Sequence, residues 1–143
     1  MIRTLPAYAL LAVSYTAPAL AESALQLYTM NCWGCHSPHA EGIPGSVPRL
    51  AHSMGYFLHL PEGRTYLVRV PGVANSPLND QQIADVLNWM LATFSKDELP
   101  KDFTPYTVDD IRAQRPHPIL NVKETRRVLA QQLATMGFAV SDF

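Results

Sequence analysis

Two cysteines and a histidine stand within five consecutive residues, Cys32-Trp33-Gly34-Cys35-His36. Two thiols three positions apart lie on one helical turn, where each can add across one vinyl group of a porphyrin. The histidine that follows is then placed to bind the iron. The sequence contains no other cysteine. The spacing predicts one covalently attached haem c, with Cys32 and Cys35 as its thioether residues and His36 as its iron ligand.

Three other kinds of site use two cysteines at this spacing. A thioredoxin-like redox pair needs a βαβ context, and strand signals are weak throughout this sequence. A structural zinc site takes four Cys or His ligands, and no second pair follows. A disulfide between Cys32 and Cys35 closes a very short loop and stabilises little. The adjacent His36 favours haem attachment over all three.

The first 21 residues have the pattern of a secretory signal peptide. Arg3 supplies a positive charge, residues 5–13 form a short apolar stretch, and Ala19-Leu20-Ala21 offers small residues for cleavage. We therefore expect cleavage near Ala21 and a periplasmic protein, which agrees with haem attachment outside the cytoplasm. The alternative is an uncleaved anchor at the membrane interface. No apolar run reaches the length that spans a bilayer.

Composition limits the size and the partners of the protein. The chain has 143 residues and a formal net charge of −1, which argues against a nucleic-acid partner. Twelve prolines against seven glycines indicate short helices with stiff connections. We expect a signal peptide over 1–21, one small domain over 22–95 and an extension over 96–143.

The periodicity is helical. Residues 23–31 predict a short helix, 37–50 a loop, and 51–60 a helix that stops at Pro61. Residues 65–70 fit either a helical turn or an extended segment. Asn79 followed by Gln82 predicts a capping box that opens a longer helix through Phe94.

The last third of the sequence predicts two further helices. Residues 97–102 are read as a polar hinge. Thr107 is expected to cap a helix through Arg115, and Asn121 a second one to about Met136, where Gly137 ends it. The expected fold is therefore all-α, with a small haem-binding domain and a two-helix C-terminal extension.

Residues beyond the pentapeptide carry a family resemblance. An aromatic, Tyr28, stands four residues before the first cysteine; Pro48 lies twelve residues after His36, and Leu50 two further on. With Trp89 in a C-terminal helix, residues 22–95 resemble the class I c-type cytochromes. The resemblance implies a helical domain wrapped around one haem, with Trp89 crossing the N-terminal helix and Pro48 supporting the histidine.

The sequence departs from this family where the sixth iron ligand is expected. The usual Met precedes a helix start that here reads Leu78-Asn79-Asp80-Gln81-Gln82-Ile83, and Val70 stands in its place. Valine cannot bind iron. One replacement is an iron without a sixth protein ligand. The others are four side chains: Met54, His52, His59 and Met90. Of these, Met90 is more typical of core packing.

The resemblance implies an electron-transfer protein and not an enzyme. We expect a periplasmic carrier of single electrons, either a dedicated acceptor or a subunit of a periplasmic dehydrogenase, which passes electrons to a terminal acceptor. Two other functions stay open. An open five-coordinate haem could bind small ligands or reduce peroxide, with His52 or His59 as acid–base group. The haem could also be mainly structural, in a larger complex.

Arginines supply two further expectations. One of three could bind the haem propionates: Arg49, Arg64 or Arg69. Four others form either a docking patch or an ordinary solvated helix face: Arg112, Arg115, Arg126 and Arg127.

Overall fold

A computed structural model describes residues 22–140, so the predicted signal peptide lies outside the described residues. The described chain is all-α, as expected, and its β pairing is a single isolated bridge between Ile43 and Val47 in the loop over 37–50. Two 3₁₀-helices cover Met54–His59 and Lys96–Glu98. The α-helices are α1 Ala24–Asn31, α2 Trp33–His36, α3 Pro61–Arg69, α4 Pro71–Ala74, α5 Asp80–Phe94, α6 Val108–Gln114 and α7 Val122–Thr135.

Three predicted helix starts are confirmed by their caps. The Asn79 side chain accepts from the amide of Gln82, which bonds back to the Asn79 amide, and this box opens α5. Thr107 caps α6 in the same way, and Asn121 accepts from the amide of Glu124 at the start of α7. Each cap satisfies amides that have no partner within their helix, so the boundary follows from local sequence.

The expected helix over 51–60 is wrong in extent and in its end. It is a 3₁₀-helix over Met54–His59, and Pro61 begins the next helix instead of stopping the first. Proline lacks an N–H and has a helical φ, so it suits the first position of α3. Residues 65–69 are therefore helical. Gly63 makes the junction possible, because a Cβ there would collide with the Phe57 carbonyl oxygen.

The core forms where α1 crosses α5. The Tyr28 ring lies 5.4 Å from the Trp89 ring and 5.2 Å from Phe94. Its hydroxyl donates to the Ser37 carbonyl oxygen at 2.5 Å, which ties α1 to the chain just after His36. The expected crossing of Trp89 on the N-terminal helix is confirmed.

The tail packs into the same core. The expected polar hinge contains the 3₁₀-helix Lys96–Glu98, and Glu98 is buried. Four tail side chains belong to one hydrophobic cluster with Tyr28 and the apolar face of α5: Tyr106, Ile111, Leu129 and Leu133. Helix α6 packs on α3 and α5, and α7 packs on the 3₁₀-helix Met54–His59. Within residues 22–140, every helix is too short or too polar to cross a membrane.

Candidate haem site

The junction of two helices positions the predicted attachment residues. Ser23 caps α1, which ends at Asn31, and Cys32 links it to the single turn of α2. The amides of Cys35 and His36 both donate to the Cys32 carbonyl oxygen, at 3.2 and 3.0 Å. This turn brings the three side chains together. Both thiols are free; Cys32 is half-buried against the core and Cys35 is exposed.

The two thiols differ in their surroundings. Burial, and then the neighbouring Cys35, raise the pKa of Cys32 to about 11. Cys32 is therefore a neutral thiol at ordinary pH, because its thiolate would lose hydration inside the protein. Cys35 lies at the surface. Of the two residues that would hold the ring, Cys32 is therefore half-buried and Cys35 is at the surface.

His36 is held as a neutral imidazole. Burial lowers the pKa of His36 most strongly. A hydrogen bond with the backbone of Pro48 raises it, and the positive charge of Arg126 lowers it again. Its Nδ1 is buried and forms no well-aligned hydrogen bond within residues 22–140. The neutral form is the one that binds a metal. Pro48 lies beside the imidazole, where the resemblance placed it.

These features fit haem c. Two free thiols on one turn suit the two vinyl groups, and the neutral His36 suits the iron. Pro48 can serve as the outer partner that orients a ligating histidine. A disulfide or a zinc site has no such support: the cysteines are unpaired, and the described residues contain no cluster of three His, Cys, Asp or Glu side chains that could hold a metal ion.

The two distal histidine candidates are bonded to the tail. His52 Nδ1 lies 3.2 Å from Glu98 Oε1, and the His52 side chain is 70% exposed. His59 Nε2 lies 3.0 Å from the Glu98 carbonyl oxygen, and its ring contacts Phe138 at 4.4 Å. An exposed ring and an occupied Nε2 do not suit iron ligation, so the structure does not bring these side chains to the haem site.

The remaining candidates lie in or beside the core. Met54 is 2% exposed at the start of its 3₁₀-helix, and Met90 is buried on α5. Val70 ends α3 and precedes α4, where it is half-buried. No residue from Leu60 to Trp89 is a Met or a His. Met90 lies in the hydrophobic core, as expected. Met54 thus stays a ligand candidate, and an open sixth position stays the alternative.

Arg115 fixes the segment that replaces the usual ligand loop. Its guanidinium donates to the carbonyl oxygens of Ala74 at 3.0 Å and Leu78 at 2.8 Å, and also to that of Ser76. An ion pair to Asp80 at 3.1 Å completes the contact. Residues 74–80 are therefore bound to the tail, and Arg115 is not part of a surface patch.

The propionate candidates have different environments. Arg64 donates to the carbonyl oxygens of Thr104 and Pro105 and pairs with Asp110 at 3.1 Å. Arg69 donates to the carbonyl oxygen of His117. Both arginines bind the tail. Arg49, exposed and next to Pro48, bonds to the Ala51 carbonyl oxygen and stays a propionate candidate.

Sequence reasoning missed the burial of Arg126. Its side chain is buried, at 2% exposure, so the expectation of a docking patch or solvated face is wrong for Arg126 as well. A signal was present in the spacing: Arg126 stands four residues after Val122 and three before Leu129, in the middle of the apolar stripe of α7.

Comparison with known proteins gives the family. The cytochrome c family model matches residues 21–94. The chain belongs to the cytochrome c family. Relatives of this cytochrome include two proteins of Thermus thermophilus, both named cytochrome c-552. One is 32% identical over 133 residues, which cover 80% of this chain and 87% of that protein. The other is 31% identical over 102 residues, 59% of this chain and 78% of that protein.

Membership settles the cofactor and the general class. This cytochrome carries covalently bound haem c with its iron, and the family is one of mono-haem electron carriers, which indicates electron transfer in place of enzymatic turnover. The first alignment also reaches into the tail, because 80% of 143 residues exceeds the 95 residues that precede it. The resemblance is thus longer than residues 22–95.

Proposed function

We propose that this cytochrome is an exported electron carrier that exchanges single electrons with a dedicated partner, through a haem attached at Cys32, Cys35 and His36. The iron supplies the chemistry by alternating between ferric and ferrous states. The chain would anchor the ring through the two cysteines and present His36 as a neutral imidazole with a buried Nδ1. The observation that carries this proposal is the contrast between the exposed Cys35 and the buried Nδ1 of His36.

That contrast suits electron transfer. Cys35, which would hold the ring, is exposed, and two apolar side chains of the same segment are exposed as well, Met30 at 74% and Trp33 at 41%. A partner that docks there would lie close to the residues that hold the haem. Trp33 and Met30 supply the apolar contact typical of interfaces. We propose a periplasmic dehydrogenase as the electron donor and a terminal acceptor as the exit, after cleavage near Ala21.

A second function has one specific observation in its favour. The segment from Leu60 to Trp89 contains no Met or His, and His52 and His59 are both bonded to Glu98. If Met54 does not reach the iron, the sixth position is open to small ligands. The peroxide variant of this function is weakened, because neither histidine is placed as an acid–base group.

Absorption spectra of the matured holoprotein separate the two functions. We expect a low-spin ferrous spectrum that does not change with carbon monoxide, and rapid, reversible reduction by a small mediator. A high-spin spectrum that shifts with carbon monoxide would reject the closed carrier and favour the open site. A protein that is not reduced reversibly at all would leave a structural haem. A Trp33→Ser variant should keep the spectrum but slow partner-driven reduction.

A further inference from the structure

A groove lies between α3 and the loop that leads into α7. Its volume is about 450 Å³, and its lining comes from α3, from residues 118–121 and from the first half of α7. The rings and chains of Tyr66 and Leu129, both buried, form its apolar part. Glu62 and Arg69 of α3 add one acid and one base, and Leu120 lines it from the loop. The groove therefore combines apolar contact with both signs of charge.

Leu120 presents an apolar side chain to solvent from an anchored backbone. It is 97% exposed, the highest value among the large apolar side chains of residues 22–140. On one side of it, the Ile119 amide donates to the Arg69 carbonyl oxygen at 2.9 Å; on the other, Asn121 caps α7 by accepting from the amide of Glu124. A side chain on an anchored backbone loses little conformational freedom when a partner covers it, which favours binding.

The two charged side chains of the groove can pair with a partner. Glu62 is exposed and takes part in no ion pair within residues 22–140. Arg69 uses its Nε for the His117 carbonyl oxygen, and a guanidinium has two more nitrogens that can donate. The two residues stand seven positions apart on α3, roughly 10 Å along its axis.

We infer that this groove, with Leu120 beside it, is a self-association surface whose occupant is a second copy of the same chain. A two-fold axis that sets the two α3 helices antiparallel places each Glu62 opposite Arg69 of the partner subunit. It also lets Leu120 of each copy enter the groove of the other. One patch that carries a protruding side chain, a groove and both charges is self-complementary, which a two-fold interface requires.

The size of the patch sets the strength of the dimer. Its contacts are two leucines, two grooves and four charged side chains, which is less than a stable interface commonly buries. We therefore expect a reversible dimer that dissociates on dilution. The inference concerns a surface apart from Cys32, Cys35 and His36, so its failure would leave the proposed electron transfer untouched, and the reverse also holds.

Sedimentation velocity of the holoprotein over a series of concentrations tests the inference. We expect the wild type to pass from monomer to dimer as its concentration rises. Leu120→Ser should weaken the dimer at least about tenfold, because it removes two leucines that association would bury. Leu25→Ser is the matched control: Leu25 is 54% exposed on α1, the helix that also carries Met30, and its replacement should leave association unchanged.

An exchange of charges tests the orientation of the two copies. Glu62→Arg and Arg69→Glu should each weaken the dimer, and the double variant should associate more tightly than Arg69→Glu alone. Both of these last two lack the bond to His117, so that bond cannot explain the difference. A wild type that stays monomeric at every concentration, equal effects of Leu120→Ser and Leu25→Ser, or a double variant no tighter than Arg69→Glu would each overturn the inference.

Discussion

One buried residue, Glu98, holds two histidines in place by hydrogen bonds. It bonds to His52 through its side chain and to His59 through its carbonyl oxygen, and Ser95 Oγ donates to its other oxygen at 2.8 Å. Both histidines are thereby held to the tail. Met54, in contrast, is an apolar side chain in the core, at 2% exposure. It is the side chain at which the state of the sixth position is best tested.

Replacement of Met54 by leucine distinguishes a ligand from a core residue. Leucine has nearly the volume of methionine, so Met54→Leu should cost less than about 1.5 kcal/mol of folding free energy. If Met54 binds the iron, the ferric methionine–iron charge-transfer band should disappear and carbon monoxide should bind. An unchanged spectrum would show that Met54 only packs. Met90→Leu, on α5, is the control and should leave the spectrum unaltered.

Helix boundaries depend mostly on neighbouring residues, and that is why they were predictable. Asn79, Thr107 and Asn121 each bond to an amide three residues on, so their effect is contained in a four-residue motif. The pentapeptide that we propose for haem attachment is equally local. The prediction at Pro61 was wrong because proline can follow the end of one helix or begin the next. The close approach of Gly63 to Phe57 allows a helix to begin at Pro61.

The contacts that join the tail to the rest of the chain are long-range, and the sequence could not reveal them. Glu98 meets His52 across 46 residues, and Arg115 meets Ala74 across 41. Arg126 was predicted to lie at the surface with three other arginines, because its charge was given more weight than its position in the apolar stripe of α7. A single charged residue within an apolar helical stripe is the pattern that could have revealed the burial of Arg126.

The cap of α6 makes a prediction about pH. A hydrogen bond from the Thr107 backbone amide is the main cause that holds the pKa of Asp110 below its ordinary value. Burial raises this pKa, and hydrogen bonds from the Thr107 hydroxyl and Arg64 lower it further. A lowered pKa stabilises the fold above the unfolded value of about 4, and this stability is lost as the pH falls through the folded pKa.

We therefore expect Asp110→Ala to destabilise the holoprotein by about 1 kcal/mol at pH 7, a typical value for a lost cap. The difference from the wild type should shrink as the pH falls below about 4. Urea unfolding at several pH values measures both. Asp109→Ala removes a neighbouring exposed acid paired with Arg112 and should cost only a few tenths of a kcal/mol, roughly as surface pairs do. Equal effects of both substitutions would contradict the prediction.

The tail and the first part of the chain share a single core. Leu129 and Leu133 lie in one cluster with Tyr28 and Leu91, and Arg64 and Arg69 bond to tail carbonyl oxygens. Removal of the tail would therefore also remove part of the core, so it is not a simple test of partner binding. Surface substitutions such as Trp33→Ser test binding more cleanly.

Deletion of the tail should abolish cooperative folding. Truncation of one buried leucine to alanine costs about 2 to 5 kcal/mol, and total stability is commonly about 5 to 15 kcal/mol. A chain that ends at Ser95 loses several such side chains and should melt without a cooperative transition by circular dichroism, even with haem attached. A chain that ends at Val140 is the control and should melt like the wild type. A sharp transition at the wild-type temperature in the shorter chain would show that the tail is dispensable.

The place of Arg126 also has a consequence for the order of events during biogenesis. Synthesis runs from the N-terminus, so Cys32, Cys35 and His36 emerge long before α7 does. Until the last helix is synthesised, Phe57 and Tyr66 lack their contact with the Arg126 guanidinium. The residues proposed for haem attachment are thus synthesised well before the contacts of the last helix can form.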